Sequence, residues 1–151
     1  MEIERASSED AGALAAIFTA ARHEAMPWLP RLHSAAEDRD FIGGRVMAEC
    51  EVLVVRREGR PAGFLALSGD LVEHLYVSPG AQRAGIGSAL LDAAKRASPD
   101  GLRLWVFQRN QGAVAFYERH GFSEVERTDG SANEEREPDA LLAWRPDDAR
   151  R

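Results

Sequence analysis

The chain has 151 residues, of which 44% are hydrophobic, and a formal net charge of -6 at pH 7. This length buries one hydrophobic core and is too short for two ordinary domains, so we expect one domain over 1–146 and a charged tail at 147–151. The acidic balance argues against nucleic-acid binding, and the uncharged run at 11–21 is shorter than the roughly 20 residues of a membrane span. The only cysteine, Cys50, fits a reducing compartment, so we expect a cytoplasmic protein without membrane or nucleic-acid partners.

The first half of the chain alternates between helical and strand periodicity. In chain order it predicts a strand at 1–5, a helix from Ser7 or Ser8 to the prolines at 27 and 30, a helix from Ser34 to Cys50, and strands at 51–55 and 63–67. The first helix is indicated by apolar residues at three- and four-residue spacing. The two strands flank Glu58-Gly59, a tight-turn pair, and therefore predict a hairpin.

The second half of the chain continues this alternation. It predicts a strand at 71–77, a helix at 85–97, a strand at 102–107, a helix from Asn110 to His120, and strands at 122–128 and 140–144. In the helix at 85–97 we expect one buried stripe, formed by Ile86, Leu90, Ala93 and Ala97. We expect the alternating strand at 102–107 to be covered on both faces. The order of elements indicates a mixed α/β domain built on one sheet.

Two glycines stand at the start of the helix in the segment SPGAQRAGIGSALLDAAKRA, residues 78–97. A strand followed by a glycine turn and a helix presents free backbone amides that stabilise an anion such as a phosphate. Gly85 and Gly87 lack a Cβ atom, so a pyrophosphate could approach the backbone closely, with Arg83 and Ser88 as further contacts. A tight turn also needs small residues for steric reasons alone, so the glycines by themselves leave both explanations open. A P-loop is excluded because no Gly-Lys-Ser/Thr follows.

Two sequence blocks resemble those of the GNAT superfamily, the acetyl-CoA-dependent acyltransferases. The first has the family pattern Gln/Arg-x-x-Gly-x-Gly/Ala, which here is Gln82-Arg83-Ala84-Gly85-Ile86-Gly87. The second is NQGAVAFYERHGF, residues 110–122, and one predicted strand separates the two blocks. The resemblance implies a single GNAT-like domain with a mostly antiparallel central sheet, splayed at the coenzyme site and flanked by about four helices. It also implies an N-acetyltransferase that uses acetyl-CoA as cosubstrate.

The resemblance implies a set of coenzyme-binding residues. The pyrophosphate would contact the turn formed by Gln82, Arg83, Ala84, Gly85, Ile86, Gly87 and Ser88. The pantetheine arm would pair with the backbone of Leu75, Tyr76 and Val77, since it is peptide-like and can add to a strand edge. Asn110 would cap its helix and contact the coenzyme. Tyr117 would contact the coenzyme and donate a proton to the departing thiolate, and the Val77 amide would meet the oxyanion.

The two sequence blocks do not determine the general base or the acceptor site. Glu73 is the expected base, acting through water, with His74 or an amine that is already neutral as alternatives. We expect the acceptor to contact the first two helices and the acidic loop before the last strand, and the candidate residues are His23, Glu24, Trp28, His33, His74 and Glu135. The four histidines are too scattered to predict a metal site.

The expected reaction is direct acetyl transfer in a ternary complex, without a covalent enzyme intermediate. We expect the acceptor to be a primary amine of a small molecule, and a protein or peptide amine is the closest alternative. An acyl-CoA-binding sensor without catalysis is the alternative from another class. A homodimer formed by pairing of the exposed final strands is a further expectation.

Overall fold

The computed structural model describes residues 1–146, and the charged tail predicted at 147–151 lies outside this range. Seven strands form one sheet in the order β1-β2-β3-β4-β5-β7-β6. The strands are β1 Ile3–Arg5, β2 Glu51–Arg57, β3 Arg60–Ser68, β4 Leu71–Val77, β5 Leu102–Phe107, β6 Ser123–Arg127 and β7 Asp139–Trp144. All neighbouring strands are antiparallel except β4 and β5. The predicted mixed α/β fold with a mostly antiparallel sheet is therefore confirmed.

Four helices pack on the two faces of the sheet. They are α1 Ala11–Ala25, α2 at 35–49, α3 Ile86–Ala97 and α4 Gln111–Arg119. The middle of α2, Phe41–Val46, is a π-helical turn. The predicted helix caps are present at both α2 and α4, where the side chains of Ser34 and Asn110 accept backbone hydrogen bonds.

The sheet separates two hydrophobic clusters. One lies under α1 and α2 and includes Leu14, Phe18 and Phe64, while the other lies under α3 and includes Leu90 and Leu102. The stripe predicted for α3 is partly wrong: the buried residues are Ile86, Leu90, Leu91 and Ala94, whereas Ala93 is half-buried and Ala97 is exposed. The spacing 86, 90, 94 keeps one face of the helix on the sheet, and Ala97 lies at the exposed last turn.

The sheet splays between its two parallel strands, as expected. Within residues 1–146, β4 pairs with β5 only at Leu71 and Arg103. The Arg103 amide donates to the Asp70 carbonyl at 2.8 Å, and its guanidinium donates to the Asp70 carboxylate at 2.9 Å. These contacts hold the strands together at one end, and the strands then diverge.

A β-bulge lies in β4 close to this point. Ala66 is opposite His74 and Leu67 is opposite Val72, which leaves Glu73 as the extra residue. The bulge changes the alternation of side chains along β4. His74 and Tyr76 consequently face the cluster under α1, and Val72, Leu75 and Val77 pack on the cluster under α3.

Two expectations about exposed strands are wrong. One face of β5 is open, since Arg103 is exposed and Trp105 is 45% exposed, because α1 packs on β3 and β4 rather than on β5. The final strand β7 lies between β5 and β6 and is not an edge. The edge is β6, where the charges of Glu124, Glu126 and Arg127 oppose edge-to-edge pairing.

Candidate functional site

A first cavity of about 500 Å³ fills the space between β4 and the open face of β5. Several of the predicted site residues line it together, namely Glu73, His74, Leu75, Tyr76, Asn110 and Tyr117. Trp105 also lines this cavity and was not predicted to be a site residue. Because β5 leaves β4 after Leu71, the cavity borders a strand edge that has no partner strand within residues 1–146.

The glycine turn opens onto the start of α3. Arg83 and Gly85 both have left-handed backbone conformations, with φ of 69° and 78°. A Cβ atom at Gly85 would meet no atom within 4 Å, so the space above this residue is open. The first intrahelical bond runs from the Ala89 amide to the Gly85 carbonyl, and no side chain among residues 1–146 caps the preceding amides. Such amides form an anion-binding site.

Gly87 has a packing role of its own. A Cβ atom there would lie 3.3 Å from Cζ of Phe116, a residue of α4. The small residue therefore allows α3 and α4 to approach each other. Gly87 thus has a packing reason to be small that is independent of the coenzyme contact predicted for it.

The Ser88 hydroxyl already has a protein partner. Its Oγ lies 3.0 Å from Nε2 of His120, whose carbonyl accepts a hydrogen bond from Lys95. Burial and the charge of Lys95 lower the pKa of His120. The neutral imidazole can accept a hydrogen bond from the Ser88 hydroxyl. The Ser88 backbone amide is then the group of this residue that is available to an anion.

Tyr117 lies on α4 with its ring packed against those of Phe116 and Phe122, at centroid distances of 5.3 and 5.6 Å. Its side chain is half-buried and lines the first cavity. Burial, followed by the nearby Tyr76, raises the pKa of the Tyr117 hydroxyl above its ordinary value of 10.0. The hydroxyl therefore keeps its proton at neutral pH and can donate it.

The two base candidates occupy different environments. Glu73 is exposed at the bulge, whereas His74 packs among the rings of Phe18, Phe41 and Tyr76. Burial, with a smaller contribution from Arg22, lowers the pKa of His74 to about 4. His74 is therefore neutral at neutral pH but is a weak base.

Arg22 is a site residue that the sequence analysis missed. Its Nη1 donates to the Tyr76 hydroxyl at 2.9 Å, and its Nη2 lies 3.2 Å from Oε2 of Glu135. The two side chains of this ion pair are 24% and 14% exposed, so it is largely shielded from water. Arg22 thus joins α1, β4 and the loop at 128–138. Its position four residues after Phe18 places both side chains on one face of α1, but this spacing does not identify the partners of Arg22.

A second cavity of about 400 Å³ lies against α1, α2 and this loop. It brings together four of the six predicted acceptor residues, namely His23, His33, His74 and Glu135. It does not include Glu24, which is exposed, or Trp28, whose ring packs against Phe107 at 6.3 Å and under Arg109 at 4.6 Å. Arg22, Met26 and His74 line both cavities, so the two spaces adjoin.

No helix within residues 1–146 has the length and apolar character of a membrane span. The same residues hold no cluster of three or more potential metal ligands.

Comparisons with known proteins show what the chain resembles. The family model described as an acetyltransferase (GNAT) domain matches residues 48–124. The peptidyl-lysine N-acetyltransferase YjaB of Salmonella typhimurium is 31% identical over 102 residues, which cover 60% of this chain and 70% of that protein. The peptidyl-lysine N-acetyltransferase YiaC of Escherichia coli is 35% identical over 81 residues, 53% of this chain and 55% of that protein.

Solved structures share the fold. The solution structure of apo YjaB from Escherichia coli matches with a TM-score of 0.79 and 26% identity, over 95% of this chain and 96% of that one. The PaiA N-acetyltransferase of Thermoplasma acidophilum, solved in complex with coenzyme A, matches with a TM-score of 0.71 and 22% identity, over 96% and 99% of the two chains. The motif resemblance, the fold and the enzyme class are therefore confirmed: the chain belongs to the GNAT family and is an N-acetyltransferase.

Proposed function

We propose that this enzyme transfers the acetyl group of acetyl-CoA to the side-chain amine of a lysine in a peptide or protein. The observation that carries the proposal is the first cavity, which the parted edge of β4, Asn110 and Tyr117 line together. The acceptor class is supported by the relatives, three of which are named peptidyl-lysine N-acetyltransferases. The sequence analysis expected a small-molecule amine as the acceptor, with a protein or peptide amine as the alternative, and the relatives favour that alternative.

The coenzyme fits the residues at hand. Its pyrophosphate would bind the turn at 82–88 through the amides that precede Ala89, and Arg83 would add a positive charge. Its pantetheine arm would lie along Leu75, Tyr76 and Val77, because the edge of β4 that faces β5 is unpaired there within residues 1–146. Asn110 lines the same cavity and would contact the coenzyme from the start of α4.

The chemistry is a direct transfer. The neutral amine nitrogen attacks the thioester carbonyl carbon, the carbon–sulfur bond breaks, and one proton leaves the nitrogen while another reaches the sulfur. Tyr117 donates the proton to the thiolate, and the backbone amide of Val77 stabilises the negative charge on the acetyl oxygen. Cys50 takes no part, because burial raises the pKa of its thiol and it lines neither cavity.

Glu73 is the proposed base and acts through water. It is exposed and lines the first cavity, and as the extra residue of the bulge it has no partner residue on β3. His74 is the weaker candidate, because a pKa of about 4 gives its imidazole little driving force to take a proton from an amine.

A small-molecule amine is the second candidate acceptor. The observation that favours it is the second cavity, which the loop at 128–138 partly covers through the Arg22–Glu135 ion pair.

One experiment tests these alternatives together. Acetyl-CoA at a hundred times its dissociation constant should stabilise the fold by about 2.7 kcal/mol, whereas NADH should not. Released thiol is then measured with a lysine peptide, with the same peptide carrying norleucine instead of lysine, and with simple alkylamines. Turnover of the lysine peptide with the highest kcat/KM supports the proposal. Preference for alkylamines favours the second candidate, binding of acetyl-CoA without turnover of either amine class overturns both acceptor candidates, and no stabilisation by acetyl-CoA overturns the coenzyme site.

A further inference from the structure

The second cavity contains a carboxylate that the proposed transfer does not use. Asp38 lies on α2 with 9% of its surface exposed, and it lines this cavity. Its Oδ2 accepts a 2.6 Å hydrogen bond from the Thr19 hydroxyl, whereas its Oδ1 accepts none from residues 1–146. No fully buried polar side-chain atom in the described chain lacks a partner, so Oδ1 keeps some accessible surface, and the residue lines the cavity. Buried aspartates are rare unless they are paired.

The other carboxylates that line this cavity have ion-pair partners within the protein. Glu135 pairs with Arg22, while Glu134 and Glu37 both pair with His33, at 2.6 and 3.6 Å. Among the lining carboxylates, Asp38 alone has no ion-pair partner in residues 1–146. Asp38 is therefore the lining carboxylate that remains able to form an ion pair with an entering cation, and it does so beside Arg22, Arg31 and Arg45, which also line the cavity.

Aromatic rings form the wall next to this carboxylate. Phe18, Phe41 and His74 contact one another, with ring centroids 5.6 to 6.0 Å apart, and all three line the second cavity. Aromatic faces attract cations, and the guanidinium of Arg22 already lies 5.0 Å above the Phe18 ring. Burial keeps the pKa of His74 at about 4, so its ring carries no charge that would repel a cation at neutral pH.

We propose that the second cavity binds a second cationic group of the acceptor, with Asp38 as its counter-ion, while the reacting amine lies in the first cavity. The two cavities share Arg22, Met26 and His74 in their walls, so one acceptor molecule can reach both. This inference rests on the proposed function and specifies its acceptor class, which is a lysine with a basic residue close to it in the peptide.

The test compares acceptors that differ only in charge. Each lysine peptide carries one arginine or, in its matched partner, one citrulline, which is the neutral isostere of arginine. The substituted position is one of the two residues before the lysine or one of the two residues after it. For at least one position, we expect kcat/KM to be about tenfold to hundredfold higher with arginine, as for a hydrogen bond to a charged group. Asp38→Asn should reduce this ratio towards one. The matched control is Asp40→Asn, an exposed aspartate of the same helix outside both cavities, which should keep the ratio.

A second variant and a binding measurement keep the test decisive. Asparagine can still accept the Thr19 hydrogen bond, and if Asp38→Asn nevertheless fails to fold, Phe41→Leu should reduce the ratio by removing one ring. In the absence of acetyl-CoA, 1,4-diaminobutane should raise the melting temperature more than butylamine does, and Asp38→Asn should abolish the difference.

The outcomes separate this inference from the proposed function. Equal kcat/KM for all arginine and citrulline peptides, in an enzyme that acetylates both, overturns the cation site. If the enzyme acetylates no amine, the proposed function fails. The diamine measurement then decides alone: stabilisation that depends on Asp38 supports the site, and equal shifts by diamine and monoamine overturn it.

Discussion

Tyr117 shows how one side chain obtains its chemical role from its surroundings. The ring packs against Phe116 and Phe122, and the side chain lines the first cavity. The same burial that fixes the ring raises the pKa of the hydroxyl, so the proton is held until a strong base such as a thiolate develops nearby.

Replacing Tyr117 by phenylalanine should therefore separate binding from catalysis. We expect kcat to fall by about a hundredfold or more, the range for loss of a general acid, while the dissociation constant for acetyl-CoA changes little. Thiol release measures the first quantity and calorimetric titration the second. The melting temperature without ligand serves as the control, since the ring contacts persist in Tyr117→Phe. Unchanged kcat would remove Tyr117 from the mechanism.

The sequence analysis grouped side chains that the structure brings to one cavity, and their roles stay predictions. Glu73, Asn110 and Tyr117 were all expected near the coenzyme, and all line the first cavity. The sequence analysis failed where a contact joins distant parts of the chain. Arg22 meets Tyr76 54 residues away and Glu135 113 residues away, and no local spacing reports such contacts.

The position of α3 depends on a glycine in the strand beneath it. Gly63 of β3 faces the first residue of the helix, and a Cβ atom at Gly63 would lie 2.7 Å from Cγ2 of Ile86 and 3.3 Å from the Tyr76 carbonyl oxygen. Neither β3 nor the backbone of β4 can move freely within the sheet. A methyl group here must therefore displace the start of α3, whose amides face the proposed pyrophosphate.

Gly63→Ala is accordingly expected to lower the free energy of unfolding by about 1–3 kcal/mol, as for other overpacked cores, and to weaken acetyl-CoA binding. Urea unfolding and calorimetric titration measure the two effects. Gly80→Ala is the matched control, because its Cβ would meet no atom within 4 Å, and its effect should stay within about 0.5 kcal/mol. Equal stabilities of the two variants would contradict the packing argument.

The helices and strands themselves were largely predictable, since caps, turns and periodicity are local. Gly121 has the predicted left-handed conformation with φ of 90°, and β4 has the predicted bounds. The pairing of strands was not predictable in the same way. The insertion of β7 between β5 and β6, and the bulge at Glu73, depend on hydrogen bonds between distant segments.

On the scale of the whole molecule, the sheet separates the side proposed for the coenzyme from the side proposed for the acceptor. The turn and helices α3 and α4 lie on the side proposed for the coenzyme, and α1 and α2 with the loop at 128–138 enclose the side proposed for the acceptor. The two cavities adjoin near the point where β4 and β5 part, since Arg22, Met26 and His74 line both of them. His74 lines both cavities, and because it is buried, its protonation affects the stability of the whole domain.

The pH dependence of stability should reveal this buried histidine. Its ordinary pKa of 6.5 is lowered to about 4 by burial, with a smaller effect of Arg22. Between these values the unfolded chain binds a proton that the folded chain does not, so the contribution of His74 to stability is complete above pH 6.5 and is lost as the pH falls towards 4. The expected loss is about 3 kcal/mol.

His74→Phe keeps a ring in the aromatic wall and removes the titrating group, so the variant should lose less stability than the wild type between pH 6.5 and 4. Urea unfolding at several pH values measures the difference. His33→Gln is the control, because Glu134 raises the pKa of His33 and its contribution is lost only as the pH rises above 6.5. This variant should keep the wild-type slope in the acidic window down to about pH 5, above the range in which carboxylates titrate. Identical slopes for wild type and His74→Phe would show that His74 is charged in the folded protein, and that the wall between the two cavities is wetter than its packing indicates.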